Sequence, residues 1–216
     1  MLFRSGNPKL KPIRSSNYDA TLEWYFAPQS LLQFSLFDME MSSYVDFTTS
    51  TQNFPNVSVK GNPVEAYNIT SPVNTTAQVR GAELAWTQPL GLGFGAQANF
   101  TYANGHTGLD TPMVGQSAIT YNLGAYYEAH GFSAHLDYTY RSHYLVGLDH
   151  SSAENEDGLG YLGAAFNYSL TKNLSLSLNL LNLANETLKY YGADTSQPRA
   201  FYTNGRQYYF GVRFKL

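Results

Sequence analysis

Tyr208-Tyr-Phe-Gly-Val-Arg-Phe-Lys-Leu216 closes the sequence and alternates without a break. In an extended strand, Tyr208, Phe210, Val212, Phe214 and Leu216 fall on one face, and Tyr209, Gly211, Arg213 and Lys215 on the other. In a water-soluble sandwich the apolar face would look at a core. The same pattern recurs along nearly the whole chain, with no second sheet or helix to cover the apolar faces. Alternation on that scale predicts lipid as the outer solvent and a wet lumen inside, the arrangement of an outer-membrane β-barrel.

Composition agrees. Of 216 residues only 13% are charged, against about 25% in an ordinary soluble domain. Aromatic residues make up 15%, with 18 tyrosines. A mean hydropathy of -0.31 tests for spanning helices and is uninformative for strands that show lipid every second residue. No apolar run approaches the ~20 residues of a spanning helix. The net charge of -3 and the lack of basic clusters argue against a nucleic-acid partner. With no cysteine, disulfides and thiolate metal sites are excluded. Met1-Leu-Phe-Arg-Ser-Gly-Asn-Pro8 is not a secretory signal, so the reading expects further residues ahead of it.

Nine strands follow from period-2 alternation and turn residues. They run at about 17–26, 31–47, 77–87, 94–102, 119–128, 132–141, 162–170, 174–180 and 208–216. Outward residues include Leu22 and Trp24, Leu84 and Trp86, Phe100, Leu123, Leu136, Phe166 and Leu178; Glu83, Asn99, Asn122, His135 and Asp137 look inward. A β-bulge is expected around Phe37 to Met41, where the phase blurs. Connections alternate short and long, with long loops expected at Thr48–Asn74, Asn104–Gly115, Leu145–Gly158 and Asn185–Tyr202. Short turns are expected on the periplasmic side and long loops outside. Trp24, Trp86, Tyr127 and Phe132 would form the lower aromatic girdle, and Tyr102, Tyr138 and Tyr140 the upper. Nine is odd, and open edges in lipid leave unpaired backbone groups, so both margins should pair with strands outside this chain or with another copy.

Several stretches, in order, resemble the C-terminal part of TonB-dependent outer-membrane receptors. Asn7-Pro-Lys-Leu-Lys-Pro12 followed by Asn17-Tyr-Asp-Ala-Thr-Leu-Glu-Trp-Tyr-Phe26 is similar to that family's "NPxLKP…NYDxxLEWYF". Arg80-Gly-Ala-Glu-Leu84 resembles its "GxEL", Tyr138-Thr-Tyr-Arg-Ser142 its "YxYRS", Asn179-Leu-Leu-Asn-Leu-Ala-Asn-Glu186 its "xNLxNE", and Gly205-Arg206 through Leu216 its closing "GRxYxxGVRYxF". The resemblance implies that residues 1–216 are an incomplete, C-terminal part of an all-β, antiparallel transmembrane barrel of about 22 strands, without the N-terminal plug and strands. It implies a Gram-negative outer-membrane location, lipid and the TonB complex as partners, and active import of a nutrient such as a carbohydrate, with a ferric siderophore as the alternative. It also implies that the last strand, through Tyr208, Phe210, Val212, Phe214 and Leu216, is the signal read by the barrel assembly machinery; the family usually ends in an aromatic residue, and this chain ends in Leu216.

Candidate chemistry is sparse. Ser133, His135 and Asp137 share one inward row, but i,i+2 neighbours lie ~6.5–7 Å apart and the usual use of such residues is a polar lumen wall, so no catalytic residue is assigned. An outer-membrane hydrolase and a self-associating passive pore are the competing classes. His106, His143 and His150 are irregularly spaced, which favours solvated loop histidines over a metal site; His106 and His143 are kept as candidates for substrate contact. The run Asp149–Asp157 lacks calcium-loop spacing. Tyr144, Tyr190, Tyr191 and Tyr202 are the other candidates for a small-molecule substrate, since phenol rings can stack on a sugar or grip a siderophore. No metal or cofactor is expected.

Overall fold

Strand follows strand through the whole chain, and the computed structural model describes residues 2–149 and 152–215. His150 and Leu216 lie outside the described residues. The strands are β1 (Leu2–Arg4), β2 (Arg14–Ala27), β3 (Ser30–Pro55), β4 (Val64–Gly91), β5 (Phe94–Thr107), β6 (Ile119–Ala129), β7 (Phe132–Arg141), β8 (Tyr144–Asp149), β9 (Ser152–Glu156), β10 (Leu159–Ser169), β11 (Leu174–Leu181), β12 (Leu188–Tyr191), β13 (Pro198–Tyr202) and β14 (Gln207–Phe214). The long sheet has the order β14-β11-β10-β7-β6-β5-β4-β3-β2, nine antiparallel neighbours that correspond to the nine segments read from alternation. Strand β1 adds in parallel to the upper part of β4. Among the described residues β2 pairs only with β3 and β14 only with β11, so the sheet is not closed.

Register converts alternation into two faces. Leu22, Phe34, Leu84, Phe100, Tyr121 and Tyr140 are directly paired across six strands. Ala125, Leu136, Ala164, Leu180 and Tyr208 form a similar row on the other half. The opposite face carries Glu23, Gln33, Ala85, Asn99, Asn122, Thr139 and Tyr161 in one row. There Asn122 donates to Asn99 Oδ1 at 2.7 Å and Thr139 donates to Asn122 Oδ1 at 2.6 Å. Leu22, Phe34, Leu84, Phe100, Leu123, Leu136 and Phe210 are all exposed, whereas among the described residues the buried apolar ones are few: Tyr67, Ile69, Ala77, Met113 and Ala164. A sheet this large with its apolar face uncovered has no dry core to hold it in water.

Aromatic belts bound the apolar face. At the short-turn end, ring contacts run from Phe94 to Tyr127 (4.6 Å), Phe132 (6.1 Å) and Tyr168 (6.4 Å). At the other end Tyr121 contacts Tyr138 at 6.0 Å and Tyr140 at 5.0 Å. β6 and β7 are 11 and 10 residues long, close to the ~9–11 residues of a tilted membrane strand.

The short turns are built by backbone chirality. Leu92 (φ 54) and Gly93 (φ 87) join the Gly91–Phe94 pair, and His130 (φ 53) and Gly131 (φ 76) join Ala129–Phe132. Positive φ at both central positions is the type I′ pattern whose twist matches the strands. Leucine suits that conformation poorly, and Leu92 is 93% exposed, so its side chain packs on nothing. Leu92→Asn is therefore expected to stabilise the folded chain by about 1 kcal/mol, read as a higher urea midpoint in detergent micelles. An unchanged or lower midpoint would contradict the turn assignment.

Four expectations are corrected. Residues 48–74 are not a loop: β3 runs on to Pro55 and β4 begins at Val64, so only 56–63 connect them. Thr48–Asn53 is polar on both faces, so no apolar alternation marked the segment, although its backbone pairs continuously with β4 as far as Pro55. The bulge lies beyond Met41, where Ser42 and Ser43 fall between the pairs Met41–Ala77 and Tyr44–Thr75 and Ser43 has φ 58; Phe37 to Met41 are in regular register. Finally, the segments expected as loops at 145–158 and 185–202 contain β8, β9, β12 and β13, which form a second sheet in the order β13-β12-β9-β8. The connection after β5 spans 108–118 rather than starting at Asn104.

Candidate functional site

The second sheet stands at the long-connection end of the wall, and its register gathers the candidate tyrosines. Tyr144 pairs with Glu156, Glu156 with Tyr190, Tyr190 with Ala200, and Leu188 with Tyr202. Pairing places Tyr144, Glu156, Tyr190 and Tyr202 on one face, joined by Glu154 at i−2 from Glu156. Tyr191 pairs with Asn155 and belongs to the opposite face. Tyr190 and Tyr202 meet edge to face at 5.8 Å. Glu154, Leu188, Tyr190, Ala200, Tyr202 and Asn204 line a hollow of about 450 Å³. Asn204 also lines a second hollow of about 360 Å³ with Asp137, Thr139, Tyr161 and Gln207, which open onto the polar face of the long sheet. The tyrosine face is thus continuous with the polar wall.

Hydrogen bonds hold this face in place. The Tyr144 hydroxyl donates to Glu156 Oε2 at 2.6 Å. Tyr190 also bonds Glu156, and burial first, then that bond and the negative charge of Glu156, push its phenol up to about 12. Burial likewise raises Tyr144, helped by Glu156 and opposed by Arg141; burial and the charge of Asp157 raise Tyr191. A raised folded pKa means the unfolded chain loses this proton first, so the contribution of Tyr190 to stability is full below pH 10 and disappears as pH rises from 10 to about 12. Ultraviolet titration of the phenols should show the latest-ionising component reduced by one phenol in the Tyr190→Phe variant; an unchanged late component would refute the assignment.

Arg141, the last residue of β7, joins the tyrosine face to the connection 108–118. Its Nε donates to Ser117 Oγ at 2.6 Å, a terminal nitrogen donates to the Gly115 carbonyl, and its guanidinium carbon lies 3.7 Å from the centre of the Tyr144 ring. Gly115 N donates in turn to the Leu145 carbonyl at 2.7 Å, and Ser117 Oγ to the Ser142 carbonyl at 2.9 Å. The connection folds over the polar side of β3 and β4, where Met113 is buried and Thr111 Oγ1 donates to Asp46 Oδ2 at 2.8 Å.

The candidate histidines lie elsewhere. His143 is exposed between β7 and β8. His106 pairs with Gln78, which pairs with Glu40, so it stands on the apolar-side face above the last apolar row and away from the tyrosines. On the inward wall His135 bonds Glu128 Oε1 at 3.1 Å and stacks on Tyr126 at 5.9 Å, while Asn167 donates to Ser133 Oγ at 3.4 Å. Ser133 and His135 are therefore engaged by different partners. Among the described residues no group of three His, Asp or Glu side chains converges as a metal site. Sequence reasoning missed Arg141, Glu154, Glu156 and Asn204. The i,i+2 spacing of Glu154 with Glu156 and of Leu188 with Tyr190 was the available signal, hidden because both pairs sit in short strands assumed to be loops.

Comparisons with known proteins were made on the sequence and on the fold. The sequence matches the family described as TonB dependent receptor-like, beta-barrel, over residues 2–183. No curated protein matches it. Similar solved structures include the copper transporter OprC (17% identity, TM-score 0.68, 96% of this chain and 32% of that one). A mutant of the ferric enterobactin receptor PfeA from Pseudomonas aeruginosa is 19% identical, with TM-score 0.67 over 95% of this chain and 31% of that one. The siderophore receptor PirA from Acinetobacter baumannii is 16% identical, with TM-score 0.63 over 98% and 33%. At such identities the likeness is one of fold, and the chain spans about a third of each receptor's length.

Proposed function

Because the chain belongs to the family of TonB-dependent receptor β-barrels, we propose that it supplies the C-terminal wall and part of the outer vestibule of an active importer for a neutral, polyhydroxylated nutrient such as a carbohydrate. In this reading the apolar face meets outer-membrane lipid, the short turns lie in the periplasm and the second sheet lies outside the cell. Substrate is captured at the vestibule. Energy delivered through TonB then displaces a plug that fills the lumen, and the plug and the remaining strands come from outside these residues. The last strand, from Tyr208 to Leu216, would be presented to the barrel assembly machinery.

One observation supports the substrate class: the hollow beside Tyr190 and Tyr202 is lined by an amide and a carboxylate, Asn204 and Glu154, and by no lysine or arginine. Phenol rings stack against the apolar face of a sugar ring, while carboxylate and amide oxygens accept from its hydroxyls. An anionic ferric chelate would meet Glu154 without a compensating cation on that lining.

The test is calorimetric titration of the full chain in detergent micelles with a panel of neutral oligosaccharides and, separately, with ferric enterobactin. Saturable binding of a saccharide is expected, weakened about tenfold or more by Tyr190→Ala or Tyr202→Ala. Tight binding of the ferric chelate with none of the saccharides would replace the carbohydrate reading by the siderophore one.

A further inference from the structure

Asparagine followed by glycine occurs twice in this chain, at Asn104-Gly105 and Asn204-Gly205. A glycine has no Cβ to keep its backbone nitrogen away from the asparagine side-chain carbon, so this pair is the one most open to attack of nitrogen on carbon. The two pairs stand in opposite settings. Asn104 and Gly105 lie within β5, in register with Arg80 and Val79 of β4. A Cβ placed on Gly105 would meet Gln116 Oε1 at 2.5 Å and Met113 Sδ at 3.1 Å, so the backbone there is hemmed in. Asn204 is exposed between β13 and β14. Gly205 has φ 72, with nothing within 4 Å of the same position. Among the described residues neither the Asn204 side-chain amide nor Gly205 N makes a hydrogen bond. The groups just after them are fixed: Asn182 Nδ2 donates to the Gly205 carbonyl at 3.0 Å, and Arg206 Nε donates to the Leu183 carbonyl at 2.8 Å.

We infer that Asn204 is a site of spontaneous deamidation, and that its conversion adds a carboxylate to the saccharide hollow and weakens binding as the protein ages. The chemistry needs only water. Gly205 N gives its proton to solvent base and attacks Asn204 Cγ. The N–Cγ bond forms, the Cγ–Nδ2 bond breaks, and Nδ2 takes a proton from water and leaves as ammonia. Water then opens the cyclic imide at either carbonyl, giving aspartate or isoaspartate with no change of oxidation state. Asn204 lines the hollow that holds Glu154, Tyr190 and Tyr202 and also the one that holds Asp137 and Gln207, so each hollow gains a second carboxylate. The amide's donors are lost and only acceptors remain, so a sugar oxygen that accepted from the amide meets like charge instead. Isoaspartate also inserts a carbon into the backbone, which displaces the Gly205 carbonyl from Asn182 Nδ2. The modification stands on the setting of residues 204 and 205 alone, whereas its effect on binding rests on the substrate class proposed above.

The experiment is peptide mapping by mass spectrometry of the full chain in detergent micelles, incubated at mildly alkaline pH in heavy-oxygen water. Asn204 should convert about tenfold or more faster than Asn104, which must wait for the β4–β5 ladder to open. One heavy oxygen should enter per conversion, isoaspartate should exceed aspartate, and a higher pH should speed the reaction. Asn204→Gln, whose longer side chain closes a ring less readily, should stay intact at this position over the same period. An unconverted Asn204, or equal conversion at Asn104, would overturn the site, and aspartate as the sole product would overturn the imide route. A second arm titrates the saccharide panel into the fresh chain, the converted chain and the Asn204→Asp variant. Affinity should fall about tenfold in the last two, while Asn204→Gln keeps its own fresh affinity through the same incubation. Conversion without that loss would overturn the effect on the hollow. A fresh chain that binds no saccharide would instead strike the substrate reading, and the mapping would still decide the modification. Circular dichroism of each sample controls for folding.

Discussion

Leu84→Arg is expected to destabilise the membrane-inserted chain by about 2–4 kcal/mol, while Glu83→Arg, one residue away, costs far less. Leu84 sits mid-row on the apolar face between Phe34 and Phe100 and is 45% exposed in this sheet. A guanidinium there would have to be solvated by hydrocarbon or snorkel past several residues. Glu83 pairs with Ser35 and Thr101 on the polar face, where a charge meets water. The asymmetry, rather than either value, is the test. Urea titration of both variants in lipid vesicles measures it, and equal costs at the two positions would mean that neither face meets lipid.

Arg141→Ala should have an effect of similar size, and it should be local. The substitution removes the charge-assisted bonds to Ser117 and Gly115 and the contact with the Tyr144 ring. At about 1.5–3 kcal/mol for hydrogen bonds to a charged group and about 0.5–2 kcal/mol for the ring contact, the connection 108–118 loses roughly 2–5 kcal/mol of anchoring. Amide exchange within 108–118 and β8 should accelerate on the order of tenfold or more, with the strands of the apolar band unaffected. Arg141→Lys would keep the charge but not the forked geometry, and should recover only part of the protection. Uniform acceleration across all strands would show that Arg141 supports the whole wall rather than the vestibule.

How much of this could be read in advance varies with position along each strand. Between the aromatic belts one face must be apolar and the other wet, so Leu22, Leu84, Phe100 and Leu136 declared their strands and their side. Beyond the belts both faces meet water. Thr48–Pro55 on β3 therefore looked like a loop, although it is paired residue for residue with β4. The same loss of contrast concealed β8, β9, β12 and β13, and with them the site. Tyr144, Tyr190, Tyr191 and Tyr202 could be nominated from ring chemistry. That Tyr191 turns away from the other three, and that His106 stands on the apolar-side face, depended on register.

The amino-acid order by itself determined the strand count within the wall, the short turns and the assignment of residues to an apolar and a polar face, because period-2 patterning is local and each strand carries it alone. Only the tertiary structure decided which carboxylate two tyrosines share, where Arg141 reaches and how the outer segments pair into a second sheet. Those contacts join residues far apart in the chain through backbone hydrogen bonds, which every residue type can make, so no local pattern announces them.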